Sequence, residues 1–145
     1  MRNLTIISVG KLKEKAFAEL EREYETRLSA NFKAAHIELK ERGVLAESVD
    51  ILARIPKNAF VCALCVEAAG MSSEEFSRSI MSAAEEKDLC FIIGGSDGLD
   101  ESVKKRADLR LSLSPMTLTH TFARVVLAEQ IYRAVMIKEN RTYHK

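Results

Sequence analysis

Leu109-Arg-Leu-Ser-Leu-Ser-Pro115-Met-Thr-Leu-Thr-His120-Thr-Phe-Ala-Arg124-Val-Val-Leu-Ala-Glu129-Gln-Ile-Tyr-Arg133-Ala134 joins a strand pattern to a helix pattern through a hydroxyl-rich loop. It begins as a short alternating strand, breaks at Ser114-Pro115, and resumes as the most apolar helix pattern in the chain. Upstream, the apolar run Leu89 to Ile93 ends in Gly94-Gly-Ser-Asp-Gly98. Two strand-end loops, one rich in glycine and one in hydroxyls, predict a pocket at the edge of a parallel sheet.

Buried-type strands are expected at Leu4–Val9, Ala59–Val66 and Leu89–Ile93, all continuous apolar runs. Ala35–Lys40 alternates like an edge strand, and Arg110–Leu113 is the last strand. Helices are expected over Glu14–Leu28 (stripe Phe17, Leu20, Tyr24, Leu28), Leu45–Ile55, Ser72–Glu86, Asp100–Arg106 and Thr121–Lys138. Ser72-Ser-Glu-Glu75 is a capping box, and Asp100 can cap the short helix that follows. Alternating strands and helices give an α/β fold of three layers with a mostly parallel sheet. A length of 145 residues fits one domain spanning 1–145, without repeats or linkers.

The net charge of +1 excludes a strong overall field toward nucleic acid or membrane, so any RNA surface must be local or built by an oligomer. The start is too short and strand-like for a signal peptide, and no apolar run reaches a membrane span. A cytoplasmic protein is expected. Cys62, Cys65 and Cys90 sit inside strand patterns, and the C-x-x-C pair points to opposite faces, which suits buried inert thiols. No Cys/His set has zinc spacing, so no metal is expected.

The Gly94–Gly98 loop lies where nucleotides are cradled but lacks the G-x-G-x-x-G and P-loop patterns. Asp97, Asp100 and Glu101 crowd the following helix start, which disfavours phosphate and suits a neutral or cationic ligand. The alternative is that Gly98 only permits a turn and Asp100 only caps. Leu113–Leu118 offers amides, hydroxyls and apolar side chains able to line an adenine slot, or it is an ordinary loop capped by Thr119 or Thr121. His120 and Arg124 share a helix face; Glu129 and Arg133 have the spacing of an intrahelical ion pair. In the tail, Tyr143 could stack on a base while Arg141 and Lys145 meet phosphates, or the tail is solvent decoration.

Together, Ile93-Gly-Gly-Ser-Asp-Gly-Leu99, Leu111–His120, Arg124–Ala134 and Tyr143-His-Lys145 resemble one family. Ser8-Val-Gly-Lys-Leu-Lys-Glu-Lys15 and Glu23-Tyr-Glu-Thr-Arg-Leu28 add to the likeness. These are the small SPOUT-class methyltransferases that act on a pseudouridine of bacterial large-subunit ribosomal RNA (the RlmH, or YbeA-like, family), and the resemblance covers essentially the whole chain. It implies a C-terminal deep trefoil knot, S-adenosylmethionine bound in that knot, a homodimer, and methylation at N3 of a pseudouridine in 23S ribosomal RNA within assembled ribosomes. Cofactor contacts carry over to Leu64, Gly94, Gly95, Leu113, Ser114, Pro115, Met116, Thr117 and Leu118. One departure stands out: where the family carries Gly-Lys after the central strand, this chain has Ala68-Ala69.

Methyl transfer to N3 requires loss of its proton, so a base or a cation beside the developing negative charge lowers the barrier. The expected assignments are His144 as proton acceptor, Tyr143 stacking on or orienting the base, and Arg124 and Arg133 stabilising charge or binding phosphate. His120 is expected to brace the knot loop. A dimer would combine one subunit's cofactor with the other's tail. The competing readings are a non-catalytic, ribosome-binding knotted dimer and a methyltransferase for another RNA such as tRNA.

Overall fold

The computed structural model describes residues 1–145. Five parallel strands form one sheet: β1 (Arg2–Val9), β2 (Phe32–Leu39), β3 (Ala59–Leu64), β4 (Asp88–Ile93) and β5 (Leu109–Leu111), in the order β2-β1-β4-β3-β5. Between and after them run α1 (Lys15–Leu28), α2 (Val44–Arg54), α3 (Ser73–Ala84), α4 (Glu101–Arg106) and α5 (His120–Lys138).

The pleat sorts each strand's side chains between two cores. Leu4, Ile6, Cys62, Leu89 and Phe91 pack with Leu28 of α1, Phe76 and Ile80 of α3, and Leu127 and Ile131 of α5. Ile7, Val9, Val61, Cys90 and Ile92 pack with Ile51 of α2 and Val103 of α4. The sheet therefore lies between an α1–α5–α3 layer and an α2–α4 layer. Because both faces of β1, β3 and β4 are covered, their sequences are continuous apolar runs. Truncating Leu127 or Ile131, both fully buried, would cost about 2–5 kcal/mol.

Local chemistry sets the element boundaries. Ser72 accepts from the Glu75 amide while Glu75 reaches back to the Ser72 amide, the reciprocal cap that opens α3. Asp100 accepts from the Ser102 amide and caps α4. β3 ends at Leu64, two residues before the expected Val66, because the chain turns outward there; Val66 is 79% exposed and the Cys65 amide donates to Leu111.

The buried face of α1 departs from the expected stripe. Leu20 faces solvent and Glu21 is buried. The reason is Arg124, whose Nε and Nη2 donate to the two Glu21 oxygens at 2.9 and 2.8 Å, while Nη1 donates to Glu38 at 2.6 Å. Next to this network His36 bridges Ser8 and Glu25 at 2.9 and 3.0 Å. A buried guanidinium needs acceptors, and a carboxylate turned inward from α1 satisfies it.

Candidate active site

At the carboxyl ends of β3, β4 and β5 lies a cleft of about 840 Å³, a size and position suited to a nucleoside-like ligand in an open parallel sheet. Its floor is the turn after β4. There the Gly98 amide donates to the Gly95 carbonyl at 3.1 Å, and Gly98 holds φ +80°, a conformation costly for other residues. A Cβ on Gly94 would meet the Gly98 carbonyl oxygen at 2.8 Å, so the turn closes only over glycine.

The facing wall is the segment after β5. Ser114 Oγ accepts from the Met116 amide at 2.9 Å and Ser112 Oγ donates to the Ser114 carbonyl at 2.9 Å, which fixes the reverse curve that carries the chain to α5. Thr119 then caps α5 through the Phe122 amide. A third wall comes from the loop after β3, where the Ser112 amide donates to Ala69 and Ala68 packs on the second core. The loop without its expected lysine is thus tied into the structure. A cation reaches the cleft from another element: Lys104 of α4, paired with Glu67.

Of the residues expected to hold a cofactor, Leu64, Gly94, Gly95, Leu113, Ser114, Met116, Thr117 and Leu118 line this cleft. Pro115 does not; it only turns the chain between two lining residues. With Glu67 compensated by Lys104, the cleft keeps Asp97 and Glu14 as carboxylates outside any ion pair. A neutral or positively charged ligand suits it, and a phosphate does not. Glu14 and Lys104 were not expected here; Glu14 lies far from both loops in sequence, and only the parallel topology, which stacks strand ends side by side, brings it in.

The four residues expected to act on the substrate lie outside this cleft. Arg124 is 4% exposed, and its donors are taken up by Glu21 and Glu38. Burial pulls against the charge of Glu38, but the hydrogen bond and field of Arg124 outweigh it and hold Glu38 below the usual carboxylate range. Arg124 is therefore a buried structural bridge, and the expected substrate role does not fit its geometry.

Arg133, Tyr143 and His144 do come together, outside the cleft. Arg133 Nε donates to Glu129 Oε1 at 2.7 Å, Nη1 lies 3.0 Å from His144 Nδ1, and the guanidinium sits 4.9 Å over the Tyr143 ring. A guanidinium can only donate. His144 Nδ1 must therefore accept, leaving the ring proton on Nε2, 2.5 Å from Glu74 Oε1. Tyr143 packs edge-on against Tyr132 and meets the Tyr24 hydroxyl at 3.3 Å. Burial and that hydrogen bond push its phenol up to about 12, so it stays neutral at physiological pH. Of the tail, Tyr143 and His144 pack on the fold outside the cleft, while Arg141 and Lys145 are exposed to solvent.

A family model described as "Predicted SPOUT methyltransferase" matches residues 2–144. The ribosomal RNA large subunit methyltransferase H of Ureaplasma parvum serovar 3 is 41% identical over 157 aligned positions, covering 98% of this chain and 99% of that protein. The protein of the same name from Clostridioides difficile is 41% identical over 158 positions, covering 99% of each. Among solved structures, a putative methylase family protein from Neisseria gonorrhoeae superposes with TM-score 0.62 at 11% identity, covering 99% of this chain and 87% of that one. A probable methylase family protein from Haemophilus influenzae gives 0.61 at 12%, covering 99% and 71%. At those identities the structural likeness concerns the fold alone.

Proposed function

The chain belongs to the SPOUT methyltransferase family, and from that premise we propose that it is an S-adenosylmethionine-dependent methyltransferase acting at N3 of a pseudouridine in 23S ribosomal RNA, on assembled ribosomes. The observation that carries the proposal is the cleft built on Gly94, with backbone loops on two sides and uncompensated carboxylates at Asp97 and Glu14. When bound, the cofactor supplies an electrophilic methyl group on a sulfonium. Gly94, Gly95 and Leu113–Leu118 would hold its adenosine between backbone and apolar side chains, and Asp97 and Glu14 favour its positive charge over a phosphate ligand. The segment 112–119, which runs from the edge strand β5 past the ends of β3 and β4 to α5, is the part of the chain that a trefoil knot would thread.

The acceptor's chemistry falls to the tail cluster. Arg133 is half-buried with one carboxylate partner, so it can turn a donor toward the charge that develops on the imide as N3 loses its proton. His144 Nδ1 is a lone-pair acceptor, and as Arg133 turns toward RNA it is freed to take that proton while Nε2 stays anchored on Glu74. Tyr143 keeps the guanidinium plane in place. Since these groups lie outside their own subunit's cleft, the reading includes a homodimer in which each tail serves the other cleft. An apolar patch supports it: Phe122 is 49% exposed and packs on Phe17 at 4.6 Å, with Leu20, 39% exposed, one turn along α1. No helix is long and apolar enough to cross a membrane, and the reading includes a cytoplasmic location, where ribosomes are.

The test is calorimetric titration of the parent and of Gly94→Ala with S-adenosylmethionine, followed by mass spectrometry of RNA from ribosomes that lack the methyl mark. Binding by the parent, lost in Gly94→Ala, with one methyl group added at a pseudouridine, is the expected result. A folded parent that binds no cofactor in the presence of ribosomes would overturn the reading in favour of a non-catalytic ribosome binder.

A further inference from the structure

A second pocket, of about 450 Å³, opens beside the cofactor cleft and shares Glu14, His120 and Thr121 with it. It lies at the carboxyl ends of β1 and β2, so it continues the row of strand ends that forms the cleft. Its lining is nearly all polar. Lys11 and Lys13 follow β1 and Lys40 follows β2; the lysines that pair with carboxylates are Lys15, Lys104 and Lys138, and these three are not among them. Of the pocket's carboxylates, Glu38 is already paired with Arg124, which leaves Glu14 and Glu41. The Glu41 carboxylate lies at the turns of both Gly10 and Gly95, and the His120 ring closes on Gly10.

Three uncompensated ammonium groups beside two uncompensated carboxylates match one chemistry well. A ribose-phosphate chain carries anionic oxygens that lysines bind and 2′-hydroxyls that donate to carboxylates. A bare phosphate would leave Glu14 and Glu41 without a hydrogen-bond donor, and a base would want the apolar faces this pocket lacks. We propose that the pocket bounded by Lys11, Lys13, Lys40, Glu14, Glu41 and His120 receives the sugar-phosphate backbone of the RNA strand next to the acceptor nucleotide. The proposal rests on the methyltransferase reading above and deepens it: the cleft takes the methyl donor, and the adjoining pocket positions the acceptor strand. A local patch of this kind also answers how a chain of net charge +1 engages a polyanion.

The experiment has two arms. In the first, a uridine hexaribonucleotide and its deoxy counterpart are titrated into the labelled protein, and amide shifts are followed by NMR. The RNA should shift Gly10, Lys11 and Lys40 and bind several-fold more tightly than the DNA. K11A/K13A/K40A should abolish the shifts, and E41A should level the preference for RNA. In the second, ribosome methylation by the triple variant should show KM raised on the order of tenfold, as lost phosphate contacts demand, with S-adenosylmethionine affinity retained as the check on folding. Shifts that are absent, or that persist in the triple variant, overturn the proposal. Shifts that vanish with no change in ribosome KM overturn its assignment to RNA substrate. A parent inert on ribosomes counts against the methyltransferase reading itself, and the oligonucleotide arm alone then decides the pocket.

Discussion

Arg124 and Arg133 are the same side chain on the same helix in opposite surroundings. Arg124, in the N-terminal half of α5, is enclosed: two carboxylates take its donors, and its side chain is 3% exposed. Around Arg133 the helix is half open: one carboxylate, an aromatic face and a histidine lone pair hold the guanidinium without exhausting it. A buried ion pair is costly to break and has nothing left to offer a substrate. A half-buried one contributes little to stability but keeps its charge available for chemistry. Exposure and partner count, more than residue type, separate a saturated guanidinium from one with donors to spare.

The sharpest way to break that contrast is by substitution at both positions. Arg124→Ala leaves Glu21 buried and uncompensated and should cost about 3–5 kcal/mol, read as a lowered urea midpoint. Arg133→Ala should leave the midpoint nearly unchanged, since a part-exposed i,i+4 pair is worth under about 1 kcal/mol, yet lower turnover on the order of a hundredfold through the lost charge stabilisation. If the two variants lost stability equally, the contrast would collapse.

The acid limb of stability sharpens it. Glu38 has its folded pKa lowered by Arg124, so it stabilises the fold above the ordinary carboxylate pKa, and that contribution is lost as pH falls through its folded value. Urea midpoints at pH 7 and pH 4 should therefore fall further apart in the parent than in Arg124→Ala. The smallest effect concerns the thiols. Burial raises Cys62 and Cys90 to about 12, so at pH 8 about one in ten thousand is ionised. Native protein should resist a disulfide reagent that labels both in urea.

The sheet is legible in the sequence because its inner strands are covered on both faces. Such runs as Leu89–Ile93 can be little else, and the opposed faces of Cys62 and Cys65 follow from the pleat alone. The cleft is legible in part, because strand-end loops with Gly94 or Ser114-Pro115 carry their conformational requirements in their composition. Hydrophobic periodicity cannot see that Glu21 turns inward in place of Leu20, since the cause sits on α5, far along the chain. The same distance hides the fate of Arg124. The tail's packing against Tyr24, Tyr132 and Glu74 depends on long-range aromatic and charged contacts that no local pattern encodes. The lysine pocket is hidden differently: Lys11 and Lys40 come together only once β1 and β2 are known to run parallel and adjacent.

Activity of mixed dimers tests the proposal that each tail serves the other subunit's cleft. Gly94→Ala subunits have an intact tail but no cofactor site, and His144→Ala subunits have the reverse. Each homodimer should be inactive. Refolding or co-expressing the two in equal amounts should restore about a quarter of parental ribosome methylation, because half the dimers are mixed and each of those has one complete site of two. No recovery in a preparation shown to contain mixed dimers would contradict the account, since a site completed within one subunit cannot be rescued that way.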